Sequence, residues 1–316
     1  MTLDLPTPDT PLKIGTRGSP LALAQANETR DRLADAFDLP TEAFSIVVIK
    51  TTGDRVLDRP LKEIGGKGLF TREIEEALLS GEIDLAVHSM KDMPVLQPRG
   101  LVLDCYLPRE DVRDAFICPA HSTIHDLPQG VVVGTSSLRR RAQLLDRRPD
   151  LQVVEFRGNL QTRLRKLDDG VAMASFLAMA GLNRMKIDGV PATPIAPEDM
   201  LPAIAQAAIG VERREDDDRV ATMLGAIHDT PTAQRVAAER AFLAELDGSC
   251  ESPIAGLAEL DGENLRLRGE ILRPDGSEKH SGEITGLIAE GPEMGVSLAR
   301  ELLSRAGDNF FDWRSA

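Results

Sequence analysis

Apolar residues recur along this chain in two alternating periods. Short aliphatic or β-branched runs at residues 12–16, 44–50, 83–88, 101–107 and 114–118 predict buried strands. Helix signals lie between several of them. Ser19-Pro20 reads as an N-cap followed by proline at the first helical position, opening a helix through Leu21, Ala24, Glu28 and Leu33 to about Phe37. Thr71 is expected to cap a second helix, with Glu73, Glu75 and Glu76 in its first turn, where the dipole favours acids. Gly81 stops that helix, and Ser89-Met90-Lys91-Asp92 sits just past the strand that follows. The alternation resumes with a strand at 131–133, Gly134-Thr135-Ser136-Ser137, a helix from about Leu138, a strand at 152–156, and a helix to Lys166. Residues 172–180 are apolar enough for strand or helix. The pattern predicts an α/β protein with doubly wound sheets, in which ligands bind beyond the carboxyl ends of the strands.

Domain organisation follows from the punctuation. A chain of 316 residues suits two or three domains. The charged stretch 109–113 marks a crossing into a second domain, and Pro191, Pro194 and Pro197 mark the return. A helix is expected through Ile204, Ala208 and Val211, with the polar run 212–219 as its solvated face. Thr230-Pro231 starts another helix, which ends near Asp247-Gly248. Strands bounded by Asp261-Gly262 and Pro274-Asp275-Gly276, then an amphipathic helix over 292–305, make a small α+β tail. No internal repeat is evident.

Charge narrows the function. A formal net charge of -14 argues against a nucleic-acid-binding surface, and 3% aromatic residues argue against a base-stacking platform. No apolar run is long enough to span a membrane, and the first residues lack an export-signal pattern, so a cytoplasmic location is expected. Cys105, Cys118 and Cys250 have no metal-ligand spacing, and His121 and His125 lack an accompanying HExxH glutamate, so no metal is expected.

Within this acidic chain, Arg139, Arg140, Arg141, Arg147, Arg148, Arg157, Arg163, Arg165 and Lys166 form a basic block. Three successive arginines in the first turn of a helix oppose its dipole, which suggests a compensating anion at Gly134-Thr135-Ser136-Ser137. Arginine meets carboxylate or phosphate through paired, charge-assisted hydrogen bonds. Arg17 and Ser19 repeat the arrangement at the first helix start, where a surface arginine beside a cap is an equal reading. Lys67 lies in a glycine-rich loop, but Gly68 follows it, so the phosphate-loop pattern fails and phosphoryl transfer with it. Asp92 at a strand end suits acid–base work or cation stabilisation, although a lone aspartate there is usually a cap or ion pair. Cys105 and Cys118 read as inert core, whereas Cys250, among Gly248, Ser249 and Ser252, reads as an exposed thiol able to carry a covalent group.

Taken together, Thr16-Arg17-Gly18-Ser19-Pro20-Leu21-Ala22-Leu23, Gly65-Gly66-Lys67-Gly68-Leu69-Phe70, His88-Ser89-Met90-Lys91-Asp92-Met93-Pro94, Gly134-Thr135-Ser136-Ser137-Leu138-Arg139-Arg140, Arg157-Gly158-Asn159, Ala180-Gly181-Leu182 and Gly248-Ser249-Cys250 resemble the porphobilinogen deaminase family of the tetrapyrrole pathway, over nearly the whole chain and in the same order. The resemblance implies two doubly wound domains like type II periplasmic binding proteins, 1–107 with 203–226 and then 108–202, plus an α+β domain, 227–316, bearing the cofactor cysteine. It implies head-to-tail joining of four porphobilinogen molecules into linear hydroxymethylbilane, primed by dipyrromethane on Cys250, in a monomer. Asp92 would be catalytic. Lys91, Ser137, Arg139 and Arg140 would hold cofactor carboxylates. Arg17, Ser19, Arg157, Arg163 and Arg184 would hold substrate, and Lys67 would sit on a mobile loop. Arg147, Arg148, Arg165 and Lys166 are then expected to face solvent. Ala205-Gln206-Ala207 and Met173 depart from the family's usual Gly-Gln-Gly and aspartate. A hinged, non-enzymatic receptor for a small polycarboxylate would use the same fold and arginines but leaves Cys250 and the tail without a role.

Overall fold

Strand β1 (Leu12–Thr16) runs into Ser19, whose hydroxyl accepts from the Ala22 amide and starts α1 (Pro20–Phe37). Then come β2 (Phe44–Val48), α2 (Arg72–Leu79), β3 (Leu85–Ser89) and β4 (Leu101–Tyr106). Thr71 occupies the N-cap position of α2, but its side chain makes no capping bond. The chain next forms β5 (Asp114–Ile117), β6 (Val132–Gly134), α3 (Leu138–Arg147), β7 (Gln152–Val154), α4 (Leu160–Asp168), β8 (Ala174–Ala178), α5 (Met179–Arg184) and β9 (Ala192–Pro194). The apolar run 172–180 is thus strand first and helix second. β10 (Ile209–Arg214), α6 (Asp218–Gly225), α7 (Thr230–Glu245), β11 (Ile254–Asp261), β12 (Asn264–Leu272), β13 (Lys279–Leu287) and α8 (Gly291–Ala306) complete the order. This computed structural model describes residues 3–55, 71–158, 160–249, 252–307 and 309–314.

The chain divides into two units, Met1–Glu110 with Ala208–Ala233, and Asp111–Ala207 with Gln234–Ala316. In the first, the sheet order is β2-β1-β3-β10-β4, parallel except that β10 runs against both neighbours. Leu85 and Val87 of β3 join one core with Leu12, Ile14, Leu33 and Phe44, while Ala86 points into another with Ile74, Leu78 and Ile83. Both faces are covered, which is why the strand reads as a continuous apolar run.

In the second unit the order is β7-β6-β8-β5-β9, and here β5 is the antiparallel strand. The plan repeats the first sheet's. Its starting strands match as well: Gly15-Thr16 leads to Ser19 capping α1, and Gly134-Thr135 leads to Ser137 capping α3. The two turns differ by one residue, which hides the repeat from the sequence. A third sheet, β11-β12-β13, is antiparallel, with α8 packed on it through Met294, Leu298 and Leu302. Both of its hairpins turn at the expected glycines, Gly262 and Gly276, at φ 58° and 73°.

Two sequence expectations fail around residue 205. The helix through Ile204, Ala208 and Val211 is absent; residues 209–214 form β10 instead. Ala205 and Ala207 adopt φ of 55° and 72°, a left-handed conformation that ends any helix and costs a side-chain-bearing residue ~1–2 kcal/mol. The departure from glycine therefore leaves a glycine-like backbone in place. It is held on both sides. The buried Glu239 carboxylate accepts from the Ala205 amide at 2.6 Å and the Ala258 amide at 2.8 Å, and Arg184 donates to the Ala207 carbonyl at 3.0 Å. Glu212 is not a solvated charge either. It is fully buried and meets His88 at 3.1 Å.

Glu75 is buried near that pair. Burial, and next the charge of Glu212, push its carboxyl above the ordinary range. A raised carboxyl favours the folded state at low pH, and that contribution is lost as pH rises through the raised value. Glu75→Gln should therefore raise the denaturation midpoint at pH 7–8, and the gain should vanish in acid. Midpoints measured across pH for both proteins check the sign.

Candidate functional site

In the first unit the end of β3 sets the chemistry. Gly210 on β10 faces His88, and a Cβ there would lie 2.2 Å from the Met90 sulfur, so glycine makes room for a buried Met90. The Met90 amide donates to the Ala208 carbonyl at 3.0 Å, and Ser89 bonds the buried Gln25 of α1. These contacts fix a 3₁₀ turn, Met90–Asp92, that presents Lys91 and Asp92. The Asp92 carboxylate is half-buried and has no hydrogen bond or ion pair among the described residues. Arg17 and Ser19 lie at the start of α1, both half-buried.

In the second unit the arginines converge on Asp114, the first residue of β5, which is wholly buried. Arg139 donates from Nη1 to its Oδ2 at 2.7 Å and to the Leu201 carbonyl at 2.9 Å. Arg140 grips Oδ1 from Nε and Nη2 at 3.2 and 2.7 Å, and donates from Nη1 to the Phe176 carbonyl. Gln206 adds a bond to Oδ1 at 3.0 Å and another to the Val112 carbonyl. Burial alone would raise the Asp114 carboxyl, but the charges and hydrogen bonds of Arg139 and Arg140 overcome it and hold it well below the usual carboxylate range.

Arg163 is also beside this cluster, donating to the Gly158 carbonyl at 3.0 Å and sharing the Phe176 carbonyl. Among the described residues it has no carboxylate partner. Burial first, and then Arg140, lower its guanidinium to about 10. Two guanidiniums thus share one carboxylate, a third meets Arg140 at the Phe176 carbonyl, and each keeps N–H groups that these bonds do not use. Ser137 caps α3, with its hydroxyl accepting from the Arg140 amide. A Cβ on Gly134 would lie 2.3 Å from the Phe156 ring, so the turn ahead of that cap needs glycine.

Other expected residues fall elsewhere. Arg184 donates from Nη2 to the Ala207 carbonyl, and Arg157 is half-buried, its carbonyl accepting from Lys166. Lys67, Asn159 and Cys250 lie outside the described residues. Only Arg165 is exposed among the four charges expected in solvent; Arg147, Arg148 and Lys166 are half-buried. Arg148 bonds the carbonyls of Ile124 and Leu127 and pairs with Asp150, and Arg147 donates to the Glu198 carbonyl. These side chains pin loops that local sequence does not connect to them. Asp114 and Glu239 were missed; an acid opening the apolar run Ala115-Phe116-Ile117 was the one available signal. Among the described residues no helix is long and apolar enough to cross a membrane, and no group of three or more His, Cys, Asp or Glu is placed to hold a metal ion.

Residues 12–222 match the family model for the porphobilinogen deaminase dipyromethane cofactor binding domain, and 233–304 match that for the porphobilinogen deaminase C-terminal domain. Porphobilinogen deaminase of Paracoccus denitrificans is 68% identical over 309 residues, covering 98% of this chain and 99% of that protein. The Nitrobacter hamburgensis protein of the same name is 52% identical over 298 residues, 94% of each. Among solved structures, an arginine-specific periplasmic binding protein of Salmonella typhimurium aligns over 70% of this chain and 93% of its own, at 14% identity and a TM-score of 0.39.

Removing the charge of Asp114 leaves two buried arginines facing each other. Asp114→Asn should cost about 3–5 kcal/mol of stability. Denaturant unfolding at pH 7 measures it, and the deficit should shrink as pH falls below the ordinary carboxylate range, since the stability from a depressed carboxyl is full above its unfolded pKa and is lost as pH falls through its folded one.

Proposed function

The chain belongs to the porphobilinogen deaminase family, transferases that deaminate four porphobilinogen molecules and join them head to tail into linear hydroxymethylbilane, and from that premise we propose how its residues divide the work. The matched N-terminal domain is the one that binds dipyrromethane. When bound as a thioether, dipyrromethane supplies the pyrrole end from which the chain grows. We assign its attachment to Cys250.

The observation that carries the assignment of the remaining residues is that Arg139 and Arg140 share the single carboxylate of Asp114, while Arg163, which meets Arg140 at the Phe176 carbonyl, has no carboxylate partner among the described residues. Each pyrrole ring brings an acetate and a propionate, and such a cluster suits carboxylates that arrive with the ligand. Lys91, Ser137, Arg139 and Arg140 hold the cofactor carboxylates. Arg17, Ser19, Arg157, Arg163 and Arg184 hold incoming porphobilinogen. Asp92 stabilises the positive charge that develops as the amino group leaves, and its lack of a partner among the described residues supports that role. Lys67 acts from a loop over the bound chain. In this reading the work is divided among 1–107 with 203–226, 108–202, and 227–316. The protein acts as a cytoplasmic monomer, a location in keeping with the free buried thiols of Cys105 and Cys118. A simple polycarboxylate receptor is not favoured, because it leaves the matched C-terminal domain unused.

Intact mass of the purified protein should exceed the sequence mass by two pyrrole units, and the excess should vanish in Cys250→Ala. Equal masses for the two, apart from the sulfur, would sink the attachment. Asp92→Ala should keep the adduct and bind porphobilinogen but turn over roughly 100-fold or more slowly, the scale of a lost electrostatic stabiliser. Single-turnover kinetics on adduct-bearing protein checks this.

A further inference from the structure

Aromatic residues are scarce in this chain, nine Phe, one Tyr and one Trp, yet Phe310, Phe311 and Trp313 crowd its last seven positions. They lie past residue 304, where the family match ends. Phe310 is 1% exposed. His280 of β13 meets its ring edge-on at 5.4 Å, Phe311 does so at 4.9 Å, and the Arg273 guanidinium lies 5.7 Å above it. Arg273 also donates to the Asn309 carbonyl. Arg314 then stacks 3.7 Å over Phe311 and donates from Nη1 to the Leu246 carbonyl at 3.1 Å.

Both ends of this contact lead to the cofactor machinery. Leu246 closes the end of α7, four residues before Cys250, and Ser249 and Ser252, which bracket that cysteine in sequence, bond to each other. Arg273 and His280 flank the β12–β13 turn and share Glu278. That turn rests on α3: Gly276 packs so tightly on the backbone at Leu145 and Asp146 that a Cβ would lie 2.5 Å from the Asp146 amide nitrogen, and Lys279 pairs with Asp146 at 2.6 Å. Helix α3 carries Arg139 and Arg140.

We propose that residues 309–314 are a positioning clasp for cofactor loading, in which Arg314 ties the helix end before Cys250 to the hairpin that braces the arginine-bearing helix. The clasp acts through position alone; none of its residues touches the pyrroles. It holds the helix end at Leu246 in register with the carboxylate-binding arginines, which favours the first pyrroles reaching both parts of the loading site. The inference rests on Cys250 as the attachment site.

The test uses full-length protein prepared without cofactor and incubated with porphobilinogen, with the gain of two pyrrole units followed by intact mass over time. Thermal midpoints of the unloaded proteins are measured alongside. Arg314→Ala should load roughly five- to tenfold more slowly, the scale of one hydrogen bond plus one cation–π contact. Its midpoint should stay close to that of the unaltered protein, and Arg314→Lys, which keeps a cation over the ring, should load at an intermediate rate. Phe310→Ala tests the buried anchor but removes core as well, so Arg314 carries the decision. Loading of Arg314→Ala at the unaltered rate overturns the clasp. Slowing that merely tracks a lowered midpoint, without rescue by lysine, also overturns it. Failure of the unaltered protein to gain any adduct overturns the Cys250 assignment instead.

Discussion

One carboxylate sets the arrangement of the arginine-bearing unit. Asp114 opens β5, so its backbone is locked between β8 and β9, and its side chain is the shared counter-ion of two arginines. Burying two guanidiniums in a protein interior is tolerable only where a carboxylate and carbonyls meet their N–H groups. Asp114, Leu201 and Phe176 supply those acceptors. The result is a rigid, buried arginine cluster. The arginines are fixed before any ligand arrives, and the entropy cost of orienting long side chains falls on folding rather than on binding.

The same carboxylate reaches into the connection that leaves this unit. Gln206 bonds Asp114 from the centre of a turn whose flanking alanines both carry positive φ. Strain of this kind persists only where neighbours over-determine it. Glu239 on one side and Arg184 on the other do so. Arg184 thereby works in the fold whatever it contributes to substrate, and replacing it removes a support of the turn as well as a charge.

Strands and helix starts were legible in the sequence because each is a local signal: β-branched runs, Ser19 and Ser137 as caps, glycines at the turns. The segment 204–214 was misread because alanine-rich apolar sequence fits helix and buried strand alike, and only the left-handed alanines decide. Glu212 was misread as solvated because its partner, His88, is 124 residues away. The site was legible in residue types but not in their partners. Nothing near Arg148 in sequence says that it holds the carbonyls of Ile124 and Leu127, and nothing near Arg139 says that its counter-ion is Asp114.

The placement of β10 has a consequence for synthesis. It lies between β3 and β4, and without it those two strands have no shared hydrogen bonds. A nascent chain that has emerged only through β4 therefore holds an interrupted sheet with two open edges. The strands from β5 to β9, by contrast, are contiguous in sequence and can pair as soon as they are made. The middle of the chain is thus able to finish its sheet before the beginning does, and the N-terminal strands wait, exposed, for the segment after residue 208.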